Sequence, residues 1–288
     1  MGWRILMALI LFGAFPVKAD LRSFIADIDT AQWRLSLNNS ISCQLVHDIP
    51  AYGKAVFTSR ANKDSNLSFK LDMWVKPSKQ TSVTLHSIAP KWQPGKEEHF
   101  LAEFDVYPAF DGELSNDLAW NVLAQLDAGM QPTFFYNDWF NVQDQVSVGL
   151  SSANFKSTFS EFKACVSQLL PYSFDDIALT VLSYQSGGTQ LTDAAQGQLD
   201  RIKAYLAVDP SVKWVLIDAY SDSYGSRHSN QILSQKRADS LKAVLVESGI
   251  DTERILTAAH GEKRPVASNL TKSERGRNRR VVIQITKF

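Results

Sequence analysis

The sequence predicts two folded domains behind a short leader: a mainly antiparallel β domain over residues 20–170, then an α/β sandwich over 171–288. Three observations carry this reading. Several runs in the first half alternate apolar and polar residues, the period of a half-buried strand. Beyond Pro171, β-branched runs take turns with segments whose apolar residues recur every three or four positions, giving the order β-α-β-α-β-β. The mature length, about 270 residues, suits two cores better than one.

Met1–Ala19 reads as an export signal, 1–19. Arg4 gives a basic start and Ile5–Phe15 is almost unbroken apolar sequence, shorter than the roughly twenty residues of a membrane helix. Val17-Lys18-Ala19 puts small residues where a signal peptidase reads. A short buried helix is the alternative. No cysteine follows the expected cleavage point, so no acylated amino terminus is expected, and no later run is long and apolar enough to span a bilayer. The mature protein is expected to be soluble and exported. Lys and Arg number 30, as do Asp and Glu, and this balance argues against nucleic acid or an acidic membrane as the main partner.

The two cysteines, Cys43 and Cys165, fit an oxidising compartment. A bridge between them would close 122 residues. Chain entropy sets its ceiling at about 4–5 kcal/mol. Two buried thiols are the alternative.

In the first domain, Tyr52–Thr58, Leu67–Val75, Val83–Ile88 and, in part, Phe100–Val106 carry the strand alternation. Pro77, Pro90, Pro94-Gly95 and Asp111-Gly112 separate them as breakers. A short helix is expected over Leu114–Leu126. Phe155, Phe159, Phe162, Val166 and Leu169 predict another over Asn154–Leu170, stopped by Pro171. The aromatic run Phe134–Phe140, with Trp33, Trp74, Trp92 and Trp120, is read first as core and otherwise as a docking face.

In the second domain Ile177–Tyr184 suits a strand and Gln185–Gln190, with Gly187-Gly188, a turn. Thr192 is the expected N-cap of a helix carrying Ala195, Leu199, Ile202 and Leu206, and Asp209-Pro210 breaks it. Val212–Ile217 is the next strand. A second helix runs from about Ser229 to Glu247 and closes at Gly249. Ile255–Ala259 and Val281–Ile285 are the last strands.

Between the second strand and second helix lies a polar loop with Gly225. Asp222 falls just past the strand, and Arg237 two turns into the helix. Leu233, Leu241, Val244 and Leu245 form an apolar stripe, with Arg237 four residues from both Leu233 and Leu241. A guanidinium aimed at a core needs an anionic partner, and Asp222 is the nearest candidate. One reading is a structural ion pair. The other is a ligand site, because a carboxylate beside a guanidinium complements a molecule bearing both an ammonium and a carboxylate.

This stretch resembles the OmpA-like peptidoglycan-binding domain, whose pattern runs roughly hydrophobic-x-GHTD-x-x-G, an Asn, LS-x-x-RA, and later GR-x-x-NRRV. Ala219-Tyr220-Ser221-Asp222, Gly225, Asn230, Leu233-Ser234, Arg237-Ala238 and Asn278-Arg279-Arg280-Val281 keep that order and spacing. Ala219-Tyr220-Ser221 replaces Gly-His-Thr, changing the loop beside the clamp. Glu274 replaces the Gly of GR, while Arg275 holds its Arg. The resemblance implies a sandwich of OmpA-like type with helices on one face of a mixed sheet. It also implies that Asp222 and Arg237 clamp the zwitterionic end of diaminopimelate in the peptidoglycan stem peptide, with Ser221, Asn230 and Arg275 in the same site. The basic cluster Lys272, Arg275, Arg277, Arg279 and Arg280 coincides with the NRR signature and would help form the helix and strand beside the cleft; nucleic acid is not expected there, and contact with anionic wall material is the other reading of the cluster.

Catalytic chemistry is not evident. His47, His86, His99, His228 and His260 are scattered, no CxxC, Walker, dinucleotide or GxSxG motif occurs, and neither cofactor nor metal is expected. The layout narrows the resemblance further. A leader without lipid sets aside the peptidoglycan-associated lipoproteins, the lack of eight barrel strands sets aside the porin type, and the lack of a membrane helix sets aside the stator subunits. What remains resembles the ring proteins of the sodium-driven flagellar motor. That implies a periplasmic, non-enzymatic part of the basal body, in which residues 20–170 attach to the basal-body ring and to the partner MotX. Residues 171–288 would grip peptidoglycan, and together the domains would hold the sodium-type stator B subunit, directly or indirectly. The alternatives are a general envelope tether without a motor role, or a wall-modifying enzyme.

Overall fold

The alternating runs of the amino-terminal half form strands in the computed structural model, which describes residues 20–62, 64 and 66–288. The expected leader, Met1–Ala19, lies outside these residues. The expected strands are β4 (Gly53–Arg60), β5 (Ser68–Met73), β6 (Thr81–Ile88) and β7 (His99–Val106). Six further strands accompany them: β1 (Leu21–Phe24), β2 (Trp33–Asn39), β3 (Ser42–Ile49), β8 (Gly112–Leu114), β9 (Gln131–Asn137) and β10 (Gln145–Gly149). One five-stranded sheet has the order β1-β10-β9-β6-β7, and another β2-β3-β4-β5-β8. β10 and β9, β9 and β6, β6 and β7, and β5 and β8 pair antiparallel, whereas β1 runs parallel to β10.

Strands β3 and β9 escaped the alternation test for one reason. In β9, five of seven residues from Gln131 to Phe134 and Tyr136 are buried, and in β3 Leu45, Val46 and His47 are buried in succession. A strand covered on both faces shows no period of two. The aromatic run divides between the two readings. Phe134, Tyr136 and Trp139 are core, and Phe134 stacks on Phe69 at 5.7 Å. Phe140 and Trp74 are 73% and 72% exposed.

Helix α1 (Asn116–Asp127) buries Ala119, Val122, Leu123 and Leu126. Helix α2 (Phe155–Val166) stops four residues short of the expected Leu170. The Leu170 N–H donates instead to the Ser40 carbonyl at 2.8 Å, which draws the chain out of the helix before Pro171. Cys165 at the end of α2 is bonded to Cys43 on β3, with 6.0 Å between the Cα atoms. The bridge is therefore present, and the two-thiol alternative falls.

By compactness the described residues form two units. One comprises the residues up to Trp33 with His47–Val56 and Phe69–Lys156; the other comprises Arg34–Val46, Phe57–Ser68 and Ser157–Phe288. Within the second lies a sandwich built from β11 (Leu179–Ser183), α3 (Asp193–Leu206), β12 (Val212–Ala219), α4 (Arg227–Glu247), β13 (Ile255–Ala259), a short α5 (Lys272–Asn278) and β14 (Arg280–Lys287). The sheet order is β11-β14-β12-β13, with β12 and β13 parallel and the other pairs antiparallel. This is the expected β-α-β-α-β-β chain with one helix added. Thr192 caps α3 by accepting from the Ala195 N–H at 3.3 Å, and Gly249, at φ +96°, follows the end of α4. Leu199, Ile202 and Leu206 from α3, and Leu241 and Leu245 from α4, share a core with Val215, Ile217, Ile283 and Ile285 of the sheet. Each such side chain, fully buried, contributes about 1.5–3 kcal/mol.

Candidate functional site

Burial along α4 changes character halfway. Its second half buries Leu241 and Leu245, but its first half buries Asn230, Ser234, Arg237 and Ala238. Leu233, assigned to the apolar stripe from sequence, is only half-buried. Because α4 starts at Arg227, Arg237 sits nearly three turns in rather than two. Polar groups buried on one helix face need partners, and those partners define the site.

The side chain of Arg237 is fully buried. Its Nε and Nη2 donate to the Gly188 carbonyl at 3.1 and 2.8 Å, and Nη1 donates to the Tyr220 carbonyl at 3.0 Å. The guanidinium also lies 4.5 Å from the centre of the Tyr184 ring. Burial pulls its pKa below the usual guanidinium value; Tyr184 and Asp222 oppose that shift and Arg279 adds to it. Burial likewise pushes the Tyr184 phenol up to about 12, with Arg237 opposing.

The direct ion pair between Asp222 and Arg237, one of the two readings of the sequence, is not formed. Asp222 accepts instead from Arg279 Nη1 at 2.9 Å through Oδ2, and from the Tyr224 N–H at 3.1 Å through Oδ1. Backbone ties explain the change. The Tyr220 N–H is held by the Arg280 carbonyl at 2.9 Å and the Ser221 N–H by the Gly261 carbonyl at 2.7 Å. So the chain leaving β12 offers Arg237 a carbonyl, while Arg279, next to Arg280, is brought beside the carboxylate.

Gly225, at φ +100°, turns the loop into α4, whose N-cap Ser226 accepts from the Ser229 N–H at 3.1 Å. On its other side the Ser223 N–H donates to Asn269 Oδ1 at 3.2 Å. Asn269 Oδ1 also accepts from Asn278 Nδ2 at 2.9 Å. Asn278 is fully buried and its Oδ1 accepts from the Val266 and Ala267 N–H groups at 2.9 and 3.0 Å. The Asn of the NRRV signature thus braces the loop that braces the Asp222 loop.

All five sequence-predicted site residues, Asp222, Arg237, Asn230, Ser221 and Arg275, line one cleft of about 340 Å³. Ser221 Oγ donates to the Asp222 carbonyl at 3.0 Å. Asn230 Nδ2 donates to Glu262 Oε2 at 2.8 Å, and Arg275 Nη1 to the Asn269 and Leu270 carbonyls at 2.9 and 3.1 Å. Tyr224, Leu233, Lys272 and Arg279 complete the walls together with Ser186 and Gly187. Arg279 as the partner of Asp222, and Glu262 as that of Asn230, were missed from sequence. Arg279 stands inside the quoted signature, so the signal was there; Glu262 stands in none. A cleft of one carboxylate among several cations can hold a small ligand carrying carboxylates and an ammonium, and no histidine or cysteine lines it.

Comparison with known proteins gives two family matches along the chain. Residues 24–171 match the family described as the MotY N-terminal domain, and residues 183–279 match the OmpA family. "Sodium-type flagellar protein MotY" of Vibrio parahaemolyticus serotype O3:K6 is 36% identical over 281 residues, which is 98% of this chain and 95% of that protein. "Outer membrane protein A" of Bordetella avium is 51% identical over 65 residues, or 23% of this chain and 34% of that one. Among solved structures, the peptidoglycan-associated lipoprotein from Burkholderia pseudomallei aligns at 24% identity and a TM-score of 0.34, covering 37% of this chain and 89% of the other.

Proposed function

The chain belongs to the MotY family, and on that premise we propose that it is a non-enzymatic component of the sodium-type flagellar motor that holds peptidoglycan through its carboxy-terminal cleft. The wall-binding part rests on one observation: Asp222 and Arg237 line the same cleft, each with polar capacity left over. Three of the five N–H donors of the Arg237 guanidinium go to carbonyls, so two remain for a ligand carboxylate. The Asp222 carboxylate accepts two hydrogen bonds and has lone pairs left for an ammonium. The diaminopimelate end of the stem peptide carries that pair of groups, with Ser221, Asn230 and Arg275 around it.

In this reading residues 1–19 direct export to the periplasm and are removed. The segment 20–170 attaches to the basal-body ring and to MotX, and 171–288 grips the wall. Stator B subunits are held in place by the assembly, so load passes into the wall and no turnover is required.

Co-sedimentation of the mature protein with insoluble peptidoglycan tests this. Asp222→Asn and Arg237→Lys should each weaken retention by about tenfold or more, the loss expected of a charged hydrogen bond. Circular dichroism of each variant is the control for folding. Equal sedimentation of both variants and wild type would refute the cleft as the wall site.

A further inference from the structure

Four cations line the cleft, Arg237, Lys272, Arg275 and Arg279, against the single carboxylate of Asp222. Asp222 is already paired with Arg279. The partners of Arg237 and of Arg275 are backbone carbonyls, which orient a guanidinium without neutralising it. Lys272 is exposed and enters no hydrogen bond or ion pair among the described residues. The acid closest in sequence to Lys272 and Arg275 is Glu274, and it is committed elsewhere. Its Oε2 accepts from the Thr271 N–H at 3.1 Å and from Thr271 Oγ1 at 2.8 Å, closing the capping box of α5.

A zwitterion bound at Asp222 and Arg237 brings no net charge. It would leave the cations on α5 facing a half-enclosed cleft without a counter-ion, an arrangement that favours further negative charge on the ligand.

We propose that Lys272 and Arg275 form a second anion subsite that takes a further free carboxylate of the same peptide ligand, next to its zwitterionic end. This rests on the reading above that the zwitterion sits at Asp222 and Arg237. In a stem peptide that continues past diaminopimelate, whose second carboxylate is then tied up in a peptide bond, the nearest free carboxylate is the α-carboxylate of the γ-linked D-glutamate, one residue away. The site therefore selects peptides by their number of free carboxylates and discriminates against amidated stems. Lys272 stands outside the residues that carry the OmpA-like pattern, so the preference belongs to this chain's own surface.

The test is calorimetric titration of the mature protein with L-Ala-γ-D-Glu-diaminopimelyl-D-alaninamide, in which the glutamate α-carboxylate is the only free carboxylate outside the zwitterionic end, and with the same peptide amidated at that carboxylate. Wild type should bind the free acid about tenfold more tightly, as expected for one charge-assisted contact, with the ratio shrinking at high salt. Lys272→Ala should bring the ratio towards one and Lys272→Arg should restore it. An equal ratio in wild type and Lys272→Ala, or no preference in wild type while both peptides still bind, overturns the second subsite alone. Failure of wild type to bind either peptide overturns the zwitterion site and this proposal with it. Inorganic phosphate is the control for a free anion: phosphate binding that depends on Lys272, without discrimination between the peptides, overturns the peptide assignment.

Discussion

Arg279 Nη1 lies 2.9 Å from Asp222 Oδ2, with the two side chains only 11% and 12% exposed. The carboxylate at the centre of the cleft is therefore held by the NRRV segment and not by the α4 arginine. Removing one partner of such a buried pair leaves the other charge uncompensated. Arg279→Gln is expected to cost on the order of 3 kcal/mol of stability. A double-mutant cycle should give a coupling of about 2 kcal/mol between positions 222 and 279, and under about 1 kcal/mol between 222 and 237. Urea unfolding measures both, and a larger coupling for 222 with 237 would contradict the geometry.

A second dependence runs through Asn278. Its side-chain oxygen holds two N–H groups of the 266–267 loop, and its nitrogen donates to the Ala267 carbonyl at 2.8 Å and to Asn269. Asn278→Ala should destabilise by about 1–3 kcal/mol, because two part-buried backbone donors lose their acceptor. It should also slacken Asn269, and with it Ser223. Amide exchange at Ser223 should then accelerate in the variant while the amides of β12 exchange as in wild type after correction for global stability. Unchanged exchange at Ser223 would cut the proposed link.

How much of this was legible beforehand depends on whether the signal was local. Thr192 and Gly249 announce helix ends through chemistry confined to one turn, and both hold. The strand, turn and helix around Asp222 were readable for the same reason, and the Cys43–Cys165 bridge needed only the compartment and the count. The partner of Asp222 was not readable, since the choice between Arg237 and Arg279 hangs on which backbone groups Tyr220 and Ser221 give away. His47 shows the same limit. It is fully buried, stacks on Trp33 at 4.4 Å and meets the Gln32 carbonyl at 2.9 Å, contacts that no spacing in the sequence encodes.

The last prediction concerns pH. Asp209, in the loop after α3, lies 2.5 Å from Lys287 Nζ and accepts from Ser211 Oγ at 2.6 Å and the Ser211 N–H at 3.0 Å. Lys287 in turn donates to the Tyr205 hydroxyl at 3.0 Å, so the pair ties the end of β14 to α3. Burial alone would raise the Asp209 carboxyl, but Lys287 and Ser211 outweigh it and hold the pKa below its ordinary value. A carboxyl depressed on folding binds fewer protons than in the unfolded chain. Its contribution is complete above the unfolded value of about 3.9 and is lost as pH falls through the lower folded value. Lys287 works in the opposite sense. Burial lowers it, yet Asp209 and Tyr205 raise it on balance, so its contribution fades as pH climbs beyond about 10.4. Asp209→Asn should cost about 1–3 kcal/mol at neutral pH. Urea midpoints taken from about pH 5 down to about pH 2 should run parallel for the two proteins above the unfolded value of about 3.9 and draw together below it, wild type falling more steeply there than the variant. Curves that stay parallel below about pH 3.9 would mean that the Asp209 carboxylate does not carry the acid sensitivity assigned to it.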